Sequence, residues 1–552
     1  MNKKMANLLI PASLLFLAAC GGNNEQEPNL PAVDPGETET GATVEPGNNN
    51  VTFVDGGTLV WVTQSSPVSL DPTGQNDSAS TDARSQIFES LVRFNPHVEH
   101  IELEPALATS WGNVDPYTWF FNIREGVTFH DGAELDAHAV VRSLQRAVAD
   151  VASPSHFVIN MITDIVAVDD MTVHITTEFP FAPLPGHLTH SIGGIISPLA
   201  IEREEEAIAR GEGVGSGYYN FIQERPVGTG PFAFYSEEPG NSLTLSRVEN
   251  HWRQTPYIEF LHFWAVPEAS TRFATLETGE SNAGNIPPTD FMPAASAGLG
   301  IIENATTTID YVGFNTTPGH VLEDHRIRQA IMHATNRHEI IEFLAEGFGL
   351  WSDGFLSPMV EFSPLDVPSL GYDMARAEEL LLEVGISPEN PLTLQFWFNE
   401  GNTFREQVGL FMQASLAPIG INLQVQVQPW DAYLEHTGQG LHDLFMLGWV
   451  TVTGDADYGL LPIFHSDQHG DQGNRFFFSN AEVDAALEEG RMSSDPAVRA
   501  AAYRRATEII NYYVPAIPIR FQQSLFAYNG IVGLSIDFSN TPSFELARII
   551  AQ

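Results

Sequence analysis

Two carboxylates, Asp455 and Asp457, lie in GWVTVTGDADYGL (448–460), a stretch that otherwise reads as a buried strand end, with LFML (444–447) before it and Trp449 within it. Acids in such a place can bind a metal, act as nucleophiles, hold a cationic ligand or make a turn, for which Thr-Gly-Asp is a common composition. The first two uses fit poorly. Phosphatase-type pairs carry Thr or Val where Gly459 stands, and a calcium loop needs glycine at 460, where leucine stands. The 18 histidines are scattered without ligand spacing, and HEIIE (338–342) lacks the second histidine of a zinc-protease helix and reads as ordinary helix. Gly228-Thr229-Gly230-Pro231 resembles a phosphate loop only superficially, because Pro231 removes a donor and a strand pattern follows. No metal, cofactor or catalytic residue is expected.

Composition removes further chemistry. Cys20 is the only cysteine, so no intramolecular disulfide forms. The only lysines are Lys3 and Lys4 among 25 basic residues, which excludes a P-loop lysine, a Schiff base and a lysine general base. Seventy acids give a formal charge of −45, a field that repels nucleic acid and anionic lipid.

The chain opens with a basic n-region, an apolar core over residues 8–17, and Leu17-Ala18-Ala19-Cys20. Residues 21–56 contain no base and much Gly, Pro, Asn and Glu. That composition predicts a disordered acidic tether with a reach of roughly 30 Å.

From Gly57 the elements that must position Asp455 and its neighbours appear. Strand patterns (GTLVWVT, SLTLSRV, IEFLHFWAV, TIDYVGFN, LTLQFWF, NLQVQVQP, DLFMLGWV, AIPIRF) alternate with helical ones (STDARSQIFESLVRF, a helix from Asp136, HRIRQAIMHATN, MARAEELLLEVG, FREQVGLFMQASLAPIG, NAEVDAALEEGRM, PAVRAAAYRRATEIINYY). Mixed α/β with parallel crossovers is the class implied. The length exceeds what one core serves, so two lobes are expected.

ELEPALATSWGNVDPYTWFFNIREGVTFHDGAELDAHAVVRSLQRA, PVGTGPF, YVGFNTTPGHVLEDHRIRQAIMHATNR, YDMARAEELLLEVGI and the closing FFFSNAEVDAALEEGRM block resemble, in this order, the family 5 extracellular solute-binding proteins of ABC importers. Leu17–Cys20 is likewise similar to a bacterial lipobox, with Cys20 as the lipidated residue; an ordinary secretory signal is the alternative. The resemblance implies a two-lobed, type II periplasmic-binding-protein-like fold with an extra subdomain in the first lobe. Expected boundaries are a signal peptide 1–19, a lipid-anchored linker 20–56, lobe I over 57–308 plus 525–552, and lobe II over 309–524. Closure would occur about hinges near Tyr311 and Arg520, burying the ligand.

By the same resemblance Asp455 takes the ammonium group of a peptide. Trp430 is an aromatic against the ligand, Trp449 and Tyr311 wall the site, with core packing as the alternative for all three, and Asn76 and Asp77 contact the ligand from the other lobe. Asp457 only braces the turn or an arginine. Where dipeptide-binding members carry an arginine for the ligand carboxylate, Asn399 stands here, with Arg405 the nearest arginine. Longer peptides, glutathione-like and nickel-complex ligands, and a signalling role, therefore stay open; TVTGDADYG is similar to a stretch of glutathione-binding relatives. A secreted hydrolase is the remote alternative. The expected partners are a small peptide-like solute and ABC permease and ATPase subunits, with a monomeric protein on the outer face of the cell membrane. Metabolic fatty-acid labelling should mark the wild-type chain and not Cys20→Ser, which should be shed to the medium; labelling of the variant would contradict the lipobox.

Overall fold

The computed structural model describes residues 52–95, 101–211 and 221–551. Cys20, the signal peptide and the tether up to residue 51 lie outside them. A ten-stranded sheet organises the chain, built from β1 (Thr58–Thr63), β2 (Phe232–Glu238), β3 (Ser242–Arg247), β4 (Phe260–Ala265), β5 (Ala283–Ile286), β6 (Gly300–Phe314), β7 (Leu392–Asn399), β8 (Ile421–Gln428), β9 (Leu444–Val450) and β10 (Ala516–Tyr528). Their order is β8-β7-β9-β6-β10-β5-β1-β4-β3-β2. The five strands on one side come from before residue 287 and the three on the other from 392–450, so only β6 and β10 belong to both parts.

These two strands pair antiparallel along nearly their whole length, with register breaks between Ala305 and Ile309 and between Asp310 and Tyr311. On one side of the breaks β10 continues against β5, and on the other β6 continues against β9. Within each half the central strands are parallel: β1 with β4 and β5, and β7 with β8 and β9. Parallel strands need crossover helices that cover both faces. In the 392–450 half one face is filled by Val312, Phe314, Phe396 and Met446, the other by Ile309, Tyr311, Phe445 and Phe464.

The helices used below are α1 (Ser78–Ile87), α2 (Ala137–Ala149), α3 (Leu184–His187), α4 (Ala269–Thr278), α5 (Thr403–Leu416), α6 (Trp430–Gly438), α7 (Ala456–Phe464), α8 (Ala481–Met492) and α9 (Pro496–Tyr513). α2 starts where its cap dictates, with the Asp136 carboxylate accepting from the Ala139 amide. It packs on a four-stranded antiparallel sheet, Ala108–Asp115, Thr118–Ile123, Thr172–Thr177 and Ile162–Asp169, to form a separate core with Phe121, Phe157 and Phe181. Arg146 on α2 binds Asp71 at 2.6 Å and Glu204 at 2.8 Å, which ties this layer to the loop after β1.

Three local expectations differ from the structure. The helix from Ser78 stops at Ile87, and Val92–Phe94 is a strand, because the Gly230 amide takes the Ile87 carbonyl at 2.9 Å. The glycines of 228–231 are thereby explained as close packing, since a Cβ on Gly230 would lie 2.4 Å from the Gln86 carbonyl oxygen. The HEIIE segment is not ordinary helix: Ile340–Leu344 form a π-turn, with the Ala345 amide bonding the Ile340 carbonyl. The pattern around Arg124-Glu125-Gly126 predicts a strand on either side, but after it the chain makes only a bridge between Thr128 and Glu134.

Candidate functional site

In open α/β sheets ligands bind outside the carboxyl ends of parallel strands. Here the carboxyl ends of β1 and β4 face those of β7 and β9, and the segments that follow them meet. Gln64 donates to the Glu400 carbonyl at 2.7 Å. Gly401 has φ +73° and a Cβ there would lie 2.2 Å from the Pro267 carbonyl oxygen, so only glycine lets the loops approach. On the other face of β6, Asn76 donates to the Tyr458 hydroxyl at 3.1 Å, and Arg491 donates to the Phe157 carbonyl at 3.2 Å.

The loop carrying Asn76 is held rigidly. Arg84 donates to the carbonyls of Asp71 and Gln75. The Asn76 amide is oriented by His190, whose Nδ1 accepts from the Ile192 amide, leaving Nε2–H to donate to Asn76 Oδ1 at 3.3 Å. Burial and the neighbouring Arg84 charge hold His190 at about 3, so it stays neutral as this chain requires. Asp77 is the N-cap of α1, accepting from the Ser80 amide at 3.0 Å; its second oxygen is buried without a partner, and burial raises its pKa.

Asp455 caps α7 through the Asp457 amide at 2.8 Å and binds the Arg499 guanidinium at 2.6 Å. Burial opposes the Arg499 charge, but Asp455 together with Tyr503 more than offsets it and raises the arginine's pKa. The cation that the sequence seemed to demand is thus supplied from α9, 44 residues away. Trp449 donates from Nε1 to the Tyr458 carbonyl at 2.9 Å and stacks on the Tyr458 ring at 5.2 Å. Trp430 is half-buried 6.1 Å from Tyr433, with its indole nitrogen buried and unpartnered. Tyr311 is fully buried among Phe355, Phe445 and Phe476, so it packs the core instead of presenting a surface to the interface.

Asn399 is also buried. Its Oδ1 accepts from Arg405 Nη1 at 2.6 Å, which brings the arginine of the α5 first turn back to the carboxyl end of β7. Arg405 is 9% exposed and has no carboxylate within 4.0 Å among the described residues; its Nε is buried without an acceptor, as are the Tyr311 hydroxyl and Trp430 Nε1. Burial pushes the Tyr311 and Tyr433 phenols upward, partly opposed by the Arg405 and Arg475 charges, so both rings are protonated donors.

Three residues around these aspartates, Tyr458, His187 and Arg491, were not singled out by sequence reasoning. Tyr458 joins the core of the antiparallel layer, contacting Phe157 and His190 as well as Trp449. Asp457, 1% exposed, lies 3.4 Å from His187 Nε2 on α3 and 3.3 Å from Arg491 Nε on α8. Burial lowers the His187 pKa against the Asp457 charge, which raises it. Adjacency to the two aspartates was a usable signal for Tyr458, whereas His187 and Arg491 carry none locally.

The sequence matches the model described as bacterial extracellular solute-binding proteins, family 5, middle region, over residues 102–471. The chain belongs to this family. This binding protein is 29% identical to the glutathione-binding protein GsiB of Pectobacterium atrosepticum over 455 residues, covering 80% of this chain and 84% of the relative. It is 26% identical to heme-binding protein A of Haemophilus influenzae over 576 aligned positions, covering 97% and 100%. Among solved structures it is similar to Helicobacter pylori DppA in complex with the peptide STSA, at 25% identity and TM-score 0.80 with 90% and 98% coverage. The Campylobacter jejuni NikZ complex with Ni(L-His) shares the fold at TM-score 0.77, 20% identity, and 89% and 97% coverage. The two-lobed type II fold and a solute-binding role outside the cytoplasm follow for the binding protein.

Asp457 is expected to matter more for the closed protein than a turn brace would. Asp457→Asn leaves Arg491 buried without its counter-charge, so thermal or denaturant unfolding should show a loss of about 3–5 kcal/mol. A loss below about 1 kcal/mol would place the residue with exposed pairs instead.

Proposed function

We propose that this protein is the lipid-anchored receptor of an ABC importer and that it captures a peptide or glutathione-like solute by its carboxylate. The observation that carries the reading is the surplus of buried donors at the carboxyl end of β7. Among the described residues Arg405 has one side-chain acceptor, Asn399, no acid within 4.0 Å, and an orphaned Nε, while Trp430 Nε1 has no partner. Buried donors without acceptors are costly, and an unneutralised guanidinium most of all. A ligand carboxylate supplies two acceptor oxygens and the missing charge in the fork geometry arginine favours. The names of the relatives, which speak of glutathione and peptides, agree with an amino-acid-derived solute.

Residues Asn76, Trp430 and Trp449 are proposed to contact the solute from the two halves, with Asn399 acting through Arg405. Asp77 and Tyr311 enter the site through the helix cap and the core beneath it. Asp455 is proposed as the ammonium acceptor, a role in which the ligand shares the carboxylate with Arg499. The family and fold are those of binding proteins, and delivery to a permease requires no turnover.

A calorimetric panel of di- to pentapeptides and glutathione should give a binder. For that binder, the C-terminal amide should bind the wild type more weakly than the free acid by about 2–5 kcal/mol. In Arg405→Met the free acid and the amide should bind alike. The ammonium side is read in the same way with the N-acetylated solute and Asp455→Asn. Equal affinity of acid and amide for the wild type would remove Arg405 from the site, and indifference to acetylation would leave Asp455 as a cap and ion pair only.

A further inference from the structure

Successive residues of β6 face opposite sides of the sheet. Tyr311 enters the aromatic core below the cleft residues, whereas Asp310 faces a separate cavity of about 120 Å³. Both halves of the sheet wall it: Arg272 of α4, Gln64 and Asn285 from one half, Thr403 at the start of α5 from the other, with Asp310 and Arg520 on the crossing strands as its floor.

We propose that this cavity binds a small oxyanion, distinct from the transported solute, that bridges the two halves. Arg272 is 6% exposed. Its Nη1 is committed to the carbonyls of Val266 at 2.9 Å and Pro267 at 2.6 Å. The opposite edge of the guanidinium, Nε and Nη2, has no hydrogen-bond acceptor and no carboxylate within 4.0 Å among the described residues. That edge is the fork that grips two oxygens of a carboxylate, bicarbonate, phosphate or sulfate.

Charge and helix orientation agree with an anion. The Asp310 charge is already matched by Arg520, whose Nε lies at 3.1 Å, with Gln522 Nε2 donating at 2.8 Å, so Arg272 gives the lining its net positive charge. Glu268 and Asp290 act on Arg272 only at longer range. The N-terminus of the 14-residue α5 opens on the same space; its Asn402 cap occupies the Arg405 amide and leaves the start of the helix facing the cavity. Several waters' worth of volume accommodates an ion of about four or five heavy atoms. Because Arg272 and Thr403 stand on different halves, an ion held by both resists their separation about β6 and β10 and so favours the closed form. This inference uses no property of the solute site and survives if the carboxylate reading of Arg405 fails.

The test uses the whole processed chain without solute. Its unfolding midpoint is measured in sodium formate and bicarbonate, as planar oxyanions, and in phosphate and sulfate, as tetrahedral ones, each against sodium chloride at equal ionic strength. The proposal expects one oxyanion class to raise the midpoint beyond chloride in a saturable, millimolar-range titration. Arg272→Lys keeps the charge and loses the fork, and should weaken the apparent affinity roughly tenfold or more; Thr403→Val, which leaves Arg272 intact, should weaken it less. If Arg272→Lys does not fold, Thr403→Val and Asn285→Ala carry the comparison. Chloride matching every oxyanion, or a saturable oxyanion shift unchanged in the folded variants, would overturn the site.

Discussion

Two strands carry the entire connection between the halves of the sheet, and at the point where their register breaks a buried ion pair holds them together. Asp310 on β6 is bound by Arg520 and Gln522 on β10, and Arg520 also donates to the Phe348 carbonyl and lies 4.0 Å from the centre of the Phe404 ring. A carboxylate at 2% exposure is tolerated only when its lone pairs are matched. The pair therefore fixes which residues face each other at the break, while the break interrupts the ladder that would otherwise stiffen the ribbon. If the halves rotate against each other on capturing the proposed solute, this is where hinge-type closure would be concentrated.

The same use of arginine recurs through the molecule. With no lysine after residue 4, the buried arginines carry the interior positive charge among the described residues, and several meet an acid: Arg475 with Asp471, Arg491 with Asp457, Arg499 with Asp455, Arg520 with Asp310. Planar, multi-donor and weakly hydrated, the guanidinium suits such positions better than an ammonium does. In a chain of charge −45 the exceptions are informative. Arg84 and Arg328 spend their donors on backbone carbonyls and fasten loops. Arg405 and Arg272 keep donors unspent, one at the carboxyl end of β7 and one in the hinge cavity, and each asks for an anion from outside.

What was legible in the sequence was local. The Asp136 cap, the strand periodicity of β1, β7 and β8, and the TIDYVGF half of β6 and AIPIRF half of β10 depend on neighbours within a few residues, and they read directly, whereas the more polar halves of the two long strands did not. The glycines at 228 and 230 were recognisable as a turn, but the reason for them, contact with the end of α1, was not. The site was legible only where chemistry and locality coincide. Asp455 looked unpaired because Arg499 arrives from a different helix, and Tyr311 looked like a wall because strand alternation alone does not say which side the aromatic core fills. Arg405 was visible as the nearest arginine to Asn399; its return to that side chain is a tertiary fact. His187 gave no signal, since a lone histidine at the end of a short helix is common, and its meeting with Asp457 follows from how the antiparallel layer sits against α7.

The central claim is that the halves close over a solute about β6 and β10. It is most directly tested by the distance between spin labels on exposed positions of the two halves, Val151→Cys and Ser494→Cys, in a Cys20→Ser background, with and without a calorimetrically verified solute. The account predicts that solute converts a broader, longer distance distribution into a single shorter one. A solute that binds stoichiometrically while the distribution stays unchanged would contradict it.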